Sequence, residues 1–269
     1  MTDEIKQFGR VCHLVVGKNG SGINFKGLRI SFQIKKTSDS KANEAKIEIY
    51  NPNPEHINLL LKEWQDIFLM AGYEGNEQMI FTGQIKRSIQ KIEGLDRIVV
   101  IESGDGEKSL QNSVVNKTFV KGSNDDQVIH ECQSSMQSPT GHKDDLESSP
   151  RARGKVVSGR VSNILDKVAV KHNAQWSIQD GQLLLLRDKN LRPNAVWLIN
   201  TQTGMLGRPE VTDSGTVKVS TLLNPAYMIG GLAKIEALSY QGGIRIESIE
   251  HSGDTHSSDW SSKLEGQQV

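Results

Sequence analysis

Four side chains near the end of the sequence are of types that bind divalent metal ions. His251, Asp254, His256 and Asp259 lie within the stretch HSGDTHSSDW. Imidazole and carboxylate groups at this spacing could in principle collect around one ion. The stretch is also rich in serine and glycine, as surface turns are, and short matches of this kind often arise by chance. We therefore expect neither a metal site nor a cofactor site in this segment.

Three other short motifs match known chemical sites only in part. The glycine-rich stretch 17–27, GKNGSGINFKG, fits neither the dinucleotide fingerprint nor the P-loop, so it is predicted to be a turn between two strands. Ser38 and Lys41 match Ser-x-x-Lys, but the companion Ser-Asp-Asn and Lys-Thr-Gly elements are absent. His130 and Cys132 stand two residues apart on a predicted helix and point to different faces, so they cannot share a metal ion.

The polar segment 138–155 holds the remaining candidates. Asp144, Asp145 and Glu147 are its candidate catalytic carboxylates, since carboxylate pairs need no local signature, but the pattern predicts a solvated charge run. The basic cluster 151–155 lacks the interleaved aromatic residues of a nucleic-acid site. The sequence thus predicts no catalytic, cofactor-binding or metal-binding residue and favours an assembly component over an enzyme.

Charge and composition narrow the classes of partner. The chain has 269 residues, with 32 Lys+Arg against 32 Asp+Glu, so bulk electrostatics attract it neither to nucleic acid nor to an anionic membrane. A net charge near zero favours association with other proteins. Hydrophobic residues make up 36% of the chain and aromatic residues 5%, which indicates many short strands and turns, with part of the surface buried by partners.

The N-terminal sequence and the cysteines indicate the cellular compartment in which the protein folds. The opening residues, MTDEIKQFGR, lack the basic and apolar regions of a secretory signal peptide. No apolar run approaches the roughly eighteen residues of a membrane helix. Cys12 and Cys132 are far apart in sequence, and we expect both thiols to be free in a reducing cytoplasm.

The first hundred residues alternate between apolar and polar side chains. In LRISFQIKKT, Ile30, Phe32 and Ile34 fall on one face, and AKIEIYN repeats the pattern over 45–51. Such alternation is typical of antiparallel strands with one buried face. We predict that residues 10–105 are mostly β.

One short helix interrupts this β region, in the stretch NPEHINLLLKEW. Asn53 is a suitable helix cap, and Pro54 suits the first helical position. The apolar face of this helix is predicted to consist of Ile57, Leu60, Leu61 and Trp64.

The composition changes near residue 106 and predicts an α/β middle domain. The stretches SNDDQVIHECQSSMQ and SGRVSNILDKVAVKHN carry apolar residues at helical spacing. The segment 138–155 between them is predicted to be an exposed, mobile loop. AQWSIQDGQLLLLRD reads as a hairpin that turns at residues 179–181.

Strand patterns return from residue 196. The polar tail that begins at Asp254 is predicted to be partly loose. The layout predicts a β domain over 1–106, an α/β domain over 107–190 with the polar loop 138–155, and a second β domain over 191–269.

Several of these segments together resemble bacteriophage tail baseplate hub proteins. That family often reads Asn-Glu-Ala, a strand, Tyr-Asn, a short helix, a strand ending in Ala-Gly-Tyr, then Phe-x-Gly and Asp-Gly. Its closing region carries a Thr-Gly and Gly-x-Pro element, Leu-Leu-Asn-Pro, and His-x-Gly-Asp-Thr before Asp-Trp. The matching residues here are Asn43, Tyr50, Asn51, Ala71, Gly72, Tyr73, Phe81, Gly83, Asp105, Gly106, Thr203, Gly204, Gly207, Pro209, Leu222 to Pro225 and His251 to Trp260.

The resemblance implies a non-enzymatic structural protein of a contractile phage or prophage tail, without a cofactor. Hubs of this family are similar to a tail-tube subunit duplicated in one chain, so 1–106 and 191–269 would be two tube-like antiparallel β-barrel or sandwich domains. Three chains would form a homotrimeric, pseudo-sixfold ring that joins the hexameric tail tube to the trimeric central spike and lines the DNA channel.

The same resemblance implies the partners and the location. The partners would be the tail tube or distal tube protein, the central spike and baseplate wedge proteins. DNA would pass without specific binding, and nothing would insert into a membrane. The protein would be made in the host cytoplasm and reside in the virion tail baseplate. The resemblance does not identify the residues of the assembly interfaces.

Two alternatives remain open. Another tail-tube-like component, such as a distal tube protein or the hub of an injection system, would share the same β domains. A tail-associated cell-wall hydrolase is the alternative from a different class, and it predicts that the purified protein clears peptidoglycan.

Overall fold

The chain is mostly β, with antiparallel sheets and helices concentrated in its middle part. The computed structural model describes residues 7–18, 21–62, 65–106, 110 and 112–269. Within those ranges, none of the helices has the length and apolar character needed to cross a membrane. The helices discussed below are α1 (Pro54–Leu60), α2 (Asp125–Met136) and α3 (Val161–Lys171). The strands are β1 (Arg10–Lys18), β2 (Ser21–Phe25), β3 (Ile30–Thr37), β4 (Glu44–Tyr50), β5 (Asp66–Tyr73), β6 (Asn76–Glu93), β7 (Asp96–Gly104), β8 (Val114–Phe119), β9 (Thr140–Lys143), β10 (Lys155–Arg160), β11 (Ala174–Gln179), β12 (Gln182–Arg187), β13 (Val196–Ile199), β14 (Met205–Val211), β15 (Thr216–Leu222), β16 (Leu232–Ala237), β17 (Tyr240–Asp254) and β18 (Trp260–Gln268).

The long strand β17 joins the first and last parts of the chain in one sheet. The strand order is β14-β15-β18-β17-β3-β4-β7-β6-β5-β1-β2, and β16 also pairs with β17 and carries β13 as its outer neighbour. β17 pairs with β16 over 240–245 and with β3 over 248–254. The two β regions are therefore connected by backbone hydrogen bonds as well as by the chain.

Alternating patterns bury one face of this sheet, as predicted. Ile30, Phe32 and Ile34 of β3 are all buried, and so are Ile47 and Ile49 of the neighbouring β4. The intervening polar residues of both strands face outward. This arrangement follows from the period-two geometry of a strand.

The cap of α1 is confirmed, but its apolar face is smaller than predicted. The side chain of Asn53 caps the helix, and Ile57 and Leu60 are buried. Leu61 is 39% exposed, so its place in the buried face was wrong. The helix ends at Leu60, and Leu61 is already the C-terminal cap. Trp64 lies outside the described residues.

Apolar side chains form three clusters. The first lies between β1–β7 and α1, and it takes in Leu223 and Trp260 from the far end of the chain. The second fills the α/β middle part, and the third lies under β15–β18. The domain limits at 1–106, 107–190 and 191–269 stay a prediction.

The middle part contains two small sheets. β8 pairs with β10, while β12 pairs with β11 and, in parallel, with β9. The β11–β12 hairpin turns where predicted, with Asp180 at φ 52° and Gly181 at φ 79°. Positive φ at both turn residues is the geometry that glycine and aspartate tolerate in two-residue hairpins.

The glycine-rich stretch 17–27 was predicted to be a turn, and that is wrong for its second half. β2 pairs with β1 there, and Phe25 is buried. Ile23 and Phe25 alternate along β2, a pattern hidden by the many glycines around them. Asn19 and Gly20 lie outside the described residues.

The tail after Asp254 was predicted to be partly loose, and that is wrong. β18 lies in the interior of the sheet between β15 and β17. Trp260, Ser262 and Leu264 alternate inward and are buried. The serines of the tail hid this alternation, because one of them occupies a buried position.

The segment 138–155 was predicted to be an exposed loop, and that is wrong in two places. Residues 140–143 form β9, which pairs with β12, and Leu146 is buried in the second cluster. The sequence TGHK is a poor strand former on its own. It is held by a partner about forty residues away in the chain, which local patterns do not show.

Candidate assembly site

We call the sheet in which β17 joins the first and last parts of the chain the shared sheet. A charged surface covers its outward side. Lys263 lies opposite Glu250, Glu250 opposite Lys35, and Lys35 opposite Glu44. Opposite charges therefore alternate across four strands, a pairing that stabilises a sheet modestly. We call this surface the polar face. Its charged members include Lys35, Glu44, Lys46, Glu48, Lys86, Arg87, Glu102, Glu210, Lys218, Glu250, Lys263 and Glu265.

The polar face is balanced in charge, since these six cations, five lysines and Arg87, match these six glutamates. Lys218 Nζ lies 2.9 Å from Glu265 Oε1, and Gln33 Nε2 donates to Glu250 Oε1 at 2.7 Å. Exposed pairs of this kind contribute little to stability, because water and salt screen them. Their main consequence is electrostatic, because a balanced surface neither strongly attracts nor strongly repels a polyanion.

Hydrogen bonds of the Asn43 side chain connect the middle part of the chain to this sheet. It is 2% exposed and follows the bend between β3 and β4. Its Nδ2 donates to the carbonyl oxygen of Ile178 at 2.8 Å and to Gln179 Oε1 at 3.0 Å. Its Oδ1 accepts from the backbone N–H of Thr37 at 3.0 Å. One buried amide thus links β3 to the β11–β12 hairpin.

Asp105 completes this junction at the end of β7. Its Oδ1 accepts from the backbone N–H of Gly181 at 2.8 Å. Burial, with the nearby Asp180 carboxylate, raises the pKa of Asp105 to about 6. Lys36 Nζ lies 2.6 Å from Asp180 Oδ2 and compensates part of this negative charge. The junction is therefore polar, buried and titratable near neutral pH.

The four side chains of metal-binding type near the end of the sequence do not converge on a common point. His251 is buried, and its Nδ1 lies 2.8 Å from Ser262 Oγ. Burial lowers the pKa of His251 to about 3, so the ring is neutral. Asp254 accepts from the Arg29 guanidinium at 2.7 Å. Among the described residues, no group of three or more His, Cys, Asp or Glu side chains is arranged to hold a metal ion.

The carboxylates of the 138–155 segment have structural contacts. Asp144 Oδ2 accepts from the backbone N–H of Arg187 at 2.8 Å and from Asn190 Nδ2 at 2.9 Å. The prediction of a solvated charge run is therefore wrong for Asp144. Asp145 caps its own turn by accepting from the backbone N–H of Glu147 at 2.9 Å.

The remaining candidates are dispersed. Arg151 pairs with the buried Asp125, so it is not a free member of a solvated basic cluster. His130 is exposed while Cys132 is buried on the opposite side of α2, as their spacing predicts. Burial raises the pKa of the Cys12 and Cys132 thiols to about 12, which makes both poor nucleophiles.

Two exposed apolar surfaces were missed from the sequence. The β6–β7 hairpin extends past its neighbours and carries Ile92, 72% exposed, and a fully exposed Leu95 at its tip. On the outward side of β5 and β6, Phe68, Met70 and Met79 are all partly exposed, with Met70 opposite Met79. The KIEGL turn in the sequence was the available signal for the tip. Large exposed apolar side chains grouped in this way mark contact surfaces.

Comparison with protein families gives a match across most of the chain. A family model described as "Baseplate hub gp41" matches residues 13–239. None of the curated proteins that were compared matches the sequence.

Several solved structures share the fold at low sequence identity. A tail protein from Neisseria meningitidis MC58 aligns with a TM-score of 0.69 and 10% identity, over 97% of each chain. The 43 kDa tail protein of prophage MuSo2 from Shewanella oneidensis aligns at 0.67 and 10% identity, over 96% of this chain and 97% of that one. An Escherichia coli protein aligns at 0.66 and 11% identity, over 95% of this chain and 76% of that one; it is described as a type VI secretion system component similar to the T4 tail proteins gp27 and gp5.

Proposed function

Because this chain belongs to the baseplate hub gp41 family, we propose that it forms the hub ring of a phage tail baseplate. Three copies, each with two tube-like β halves, form a homotrimer of pseudo-sixfold symmetry. The ring joins the hexameric tail tube to a trimeric central spike. DNA passes through its centre without specific binding.

The observation that carries this proposal is the shared sheet. Its two halves lie on either side of the β17–β3 pairing, one side of the sheet is buried, and the other side is the polar face. A channel for DNA needs a polar wall that lacks strong positive charge, since phosphate binding would retard passage. We assign the polar face, with its balanced charges, to the channel wall.

Edge strands and apolar side chains supply the contacts between subunits. Among the described residues, β2, β13 and β14 each pair with only one other strand. Exposed strand edges invite pairing with other chains, and a closed ring removes that hazard. We assign these edges, with the apolar tip around Leu95, to contacts within the ring and with its neighbours. Such interfaces are large when the assembly is permanent.

The partners and location follow from the hub role. The tail tube or distal tube protein lies on one side of the ring, the spike on the other, and wedge proteins contact the outside. The protein is made in the host cytoplasm and resides in the virion tail baseplate. Its role is structural and not enzymatic. The likeness to a type VI secretion component favours one second candidate, the hub of an injection system.

The mass of the native protein tests this proposal. We expect light scattering after size exclusion to give three times the 29.8 kDa chain mass, either alone or after mixing with the spike protein encoded nearby. A chain that stays monomeric at high concentration with the spike would refute the ring. A parallel assay on purified peptidoglycan should show no clearing, and clearing that is lost on substitution of an acidic residue would support the hydrolase instead.

A further inference from the structure

A cavity of about 170 Å³ lies in the middle part of the chain, away from the shared sheet. It is bounded by β10, by the first turns of α2 and by one side of α3. Its floor is apolar and consists of Val128, Val157, Ile164 and Val168. A cavity of this size holds one or two side chains and is smaller than the usual small-molecule pocket of roughly 300 Å³ or more.

The strand β10 offers an unpaired edge to this cavity. Residues 155–158 line it consecutively, and consecutive residues of a strand point to opposite faces. The cavity therefore reaches the edge of β10 instead of one of its faces. Among the described residues, β10 pairs only with β8, so its second edge has no strand partner. Val156 is 65% exposed at this edge.

The rim of the cavity carries an excess of positive charge. Arg151, Lys155, Lys167 and Lys171 surround it, against the single carboxylate of Asp125. Arg151 and Lys171 pair with that buried carboxylate, as does the His172 ring at 2.9 Å. Lys155 and Lys167 form no ion pair with any described residue. These two ammonium groups, one on β10 and one on α3, are available to anionic groups of a partner.

We propose that this groove binds an extended acidic segment of another protein, which adds to β10 as an antiparallel or parallel strand. Its backbone pairs with the open edge of β10, one apolar side chain enters the cavity, and flanking carboxylates lie beside Lys155 and Lys167. Strand addition of this kind takes affinity from the backbone and specificity from alternate side chains. The proposal concerns the middle part of the chain and is independent of the hub ring.

A peptide segment fits this groove better than a nucleic acid. Single-stranded nucleic acids bind to basic grooves that also present aromatic side chains for base stacking. Apart from Asp125 and Ser158, the described residues around this cavity are aliphatic or basic, and none of the described lining residues is aromatic. An apolar floor matches a Leu or Val side chain and gives no advantage to a base or a phosphate.

The test uses the full-length protein and an array of labelled hexapeptides. The peptides alternate Glu or Asp with Leu, Val or Ile in both registers, and binding is measured by fluorescence anisotropy. We expect micromolar binding by a subset of the array. The double variant Lys155→Glu with Lys167→Glu should weaken binding at least about tenfold. The control Lys91→Glu, an exposed lysine on the β6–β7 hairpin, should not.

Three outcomes would overturn the proposal. One is the absence of binding by any peptide of the array up to millimolar concentration. Another is unchanged affinity in the double variant while its thermal unfolding matches that of the wild type. The third is equal binding by a peptide whose backbone is N-methylated along both edges, or by single-stranded DNA, because either would indicate a charge-only site. Binding that is lost on N-methylation and on charge reversal supports strand addition.

Discussion

Replacing Asn43 with alanine should loosen the junction between the shared sheet and the middle part of the chain. The substitution removes the hydrogen-bond partner of the part-buried Thr37 N–H, of the buried Ile178 carbonyl and Gln179 side-chain oxygen and, at 3.4 Å, of the Asp105 carboxylate. A buried polar group left unsatisfied costs about 1–3 kcal/mol. Water that enters the space left by the side chain can hydrogen-bond to some of these groups and reduces the total cost. We therefore expect the free energy of unfolding to fall by about 3–5 kcal/mol.

Two measurements check this loss. Urea unfolding followed by circular dichroism gives the change in stability, and hydrogen exchange gives its location. We expect faster exchange at the backbone N–H groups of Thr37 and Gly181, which lie on opposite sides of the junction. Exchange within α2, farther from the junction, should change less because its own cluster is intact.

A matched control separates this effect from the general cost of losing an amide. Asn116 of β8 is exposed, so Asn116→Ala should change stability by no more than about 0.5 kcal/mol. The reasoning is refuted if Asn43→Ala costs less than about 1 kcal/mol and leaves exchange at Thr37 and Gly181 unaltered. That result would mean that the amide contacts are not what joins the two parts.

Three further predictions follow from buried titratable groups and from the polar face. The folded-state pKa of His251 is about 3, below its unfolded value of about 6.5, so the unfolded state binds more protons in that window and stability falls as pH drops. His251→Gln, compared with the wild type by urea midpoints from pH 7 to pH 4.5, should lose that dependence; an unchanged slope would contradict it. Asp105 has the opposite sign, because its folded-state pKa of about 6 exceeds its unfolded value near 4, so its contribution to stability falls as pH rises through this window. Because this contribution opposes that of His251 between about pH 4 and pH 6, Asp105→Asn should make stability rise more steeply with pH than in the wild type in the same titration, and an unchanged slope would contradict this. Finally, Glu102→Lys with Glu250→Lys makes the polar face basic and should slow DNA ejection from otherwise intact particles, more strongly at low salt; ejection at the wild-type rate would argue against the channel assignment.

Local signals in the sequence were sufficient for the helices and for the hairpin turn. The amide of Asn53 and the 3.6-residue spacing in α3 determine structure within a few residues, so those predictions needed no distant partner. Asp180-Gly181 likewise carries its own turn geometry. The parts that failed, β9 and the tail strand β18, gain their structure from partners far away in the chain.

The junction illustrates a further limit of sequence reasoning. Asn43 and Asp105 were noted only because they match positions of a family pattern, with no physical reason attached. The structure supplies the reason, since both side chains bind the hairpin at 178–181. Gly83 has a comparable explanation, because a Cβ there would lie 2.6 Å from the carbonyl oxygen of Gly104. The exposed apolar tip at Leu95 had a weak signal, since one leucine after a glycine is common in turns.

The way the two β halves are joined has a consequence for assembly. Two domains on a flexible linker would have to fix their relative angle at each subunit contact, at a cost in conformational entropy. Here β17 pairs with β16 and β3 along a single strand, and Trp260 of the last strand packs in the first cluster. The angle between the halves is therefore fixed when the chain folds, before it contacts another subunit. In the proposed trimer of pseudo-sixfold symmetry, only the contacts between chains would then remain to be formed during assembly, and three such contacts would close the ring.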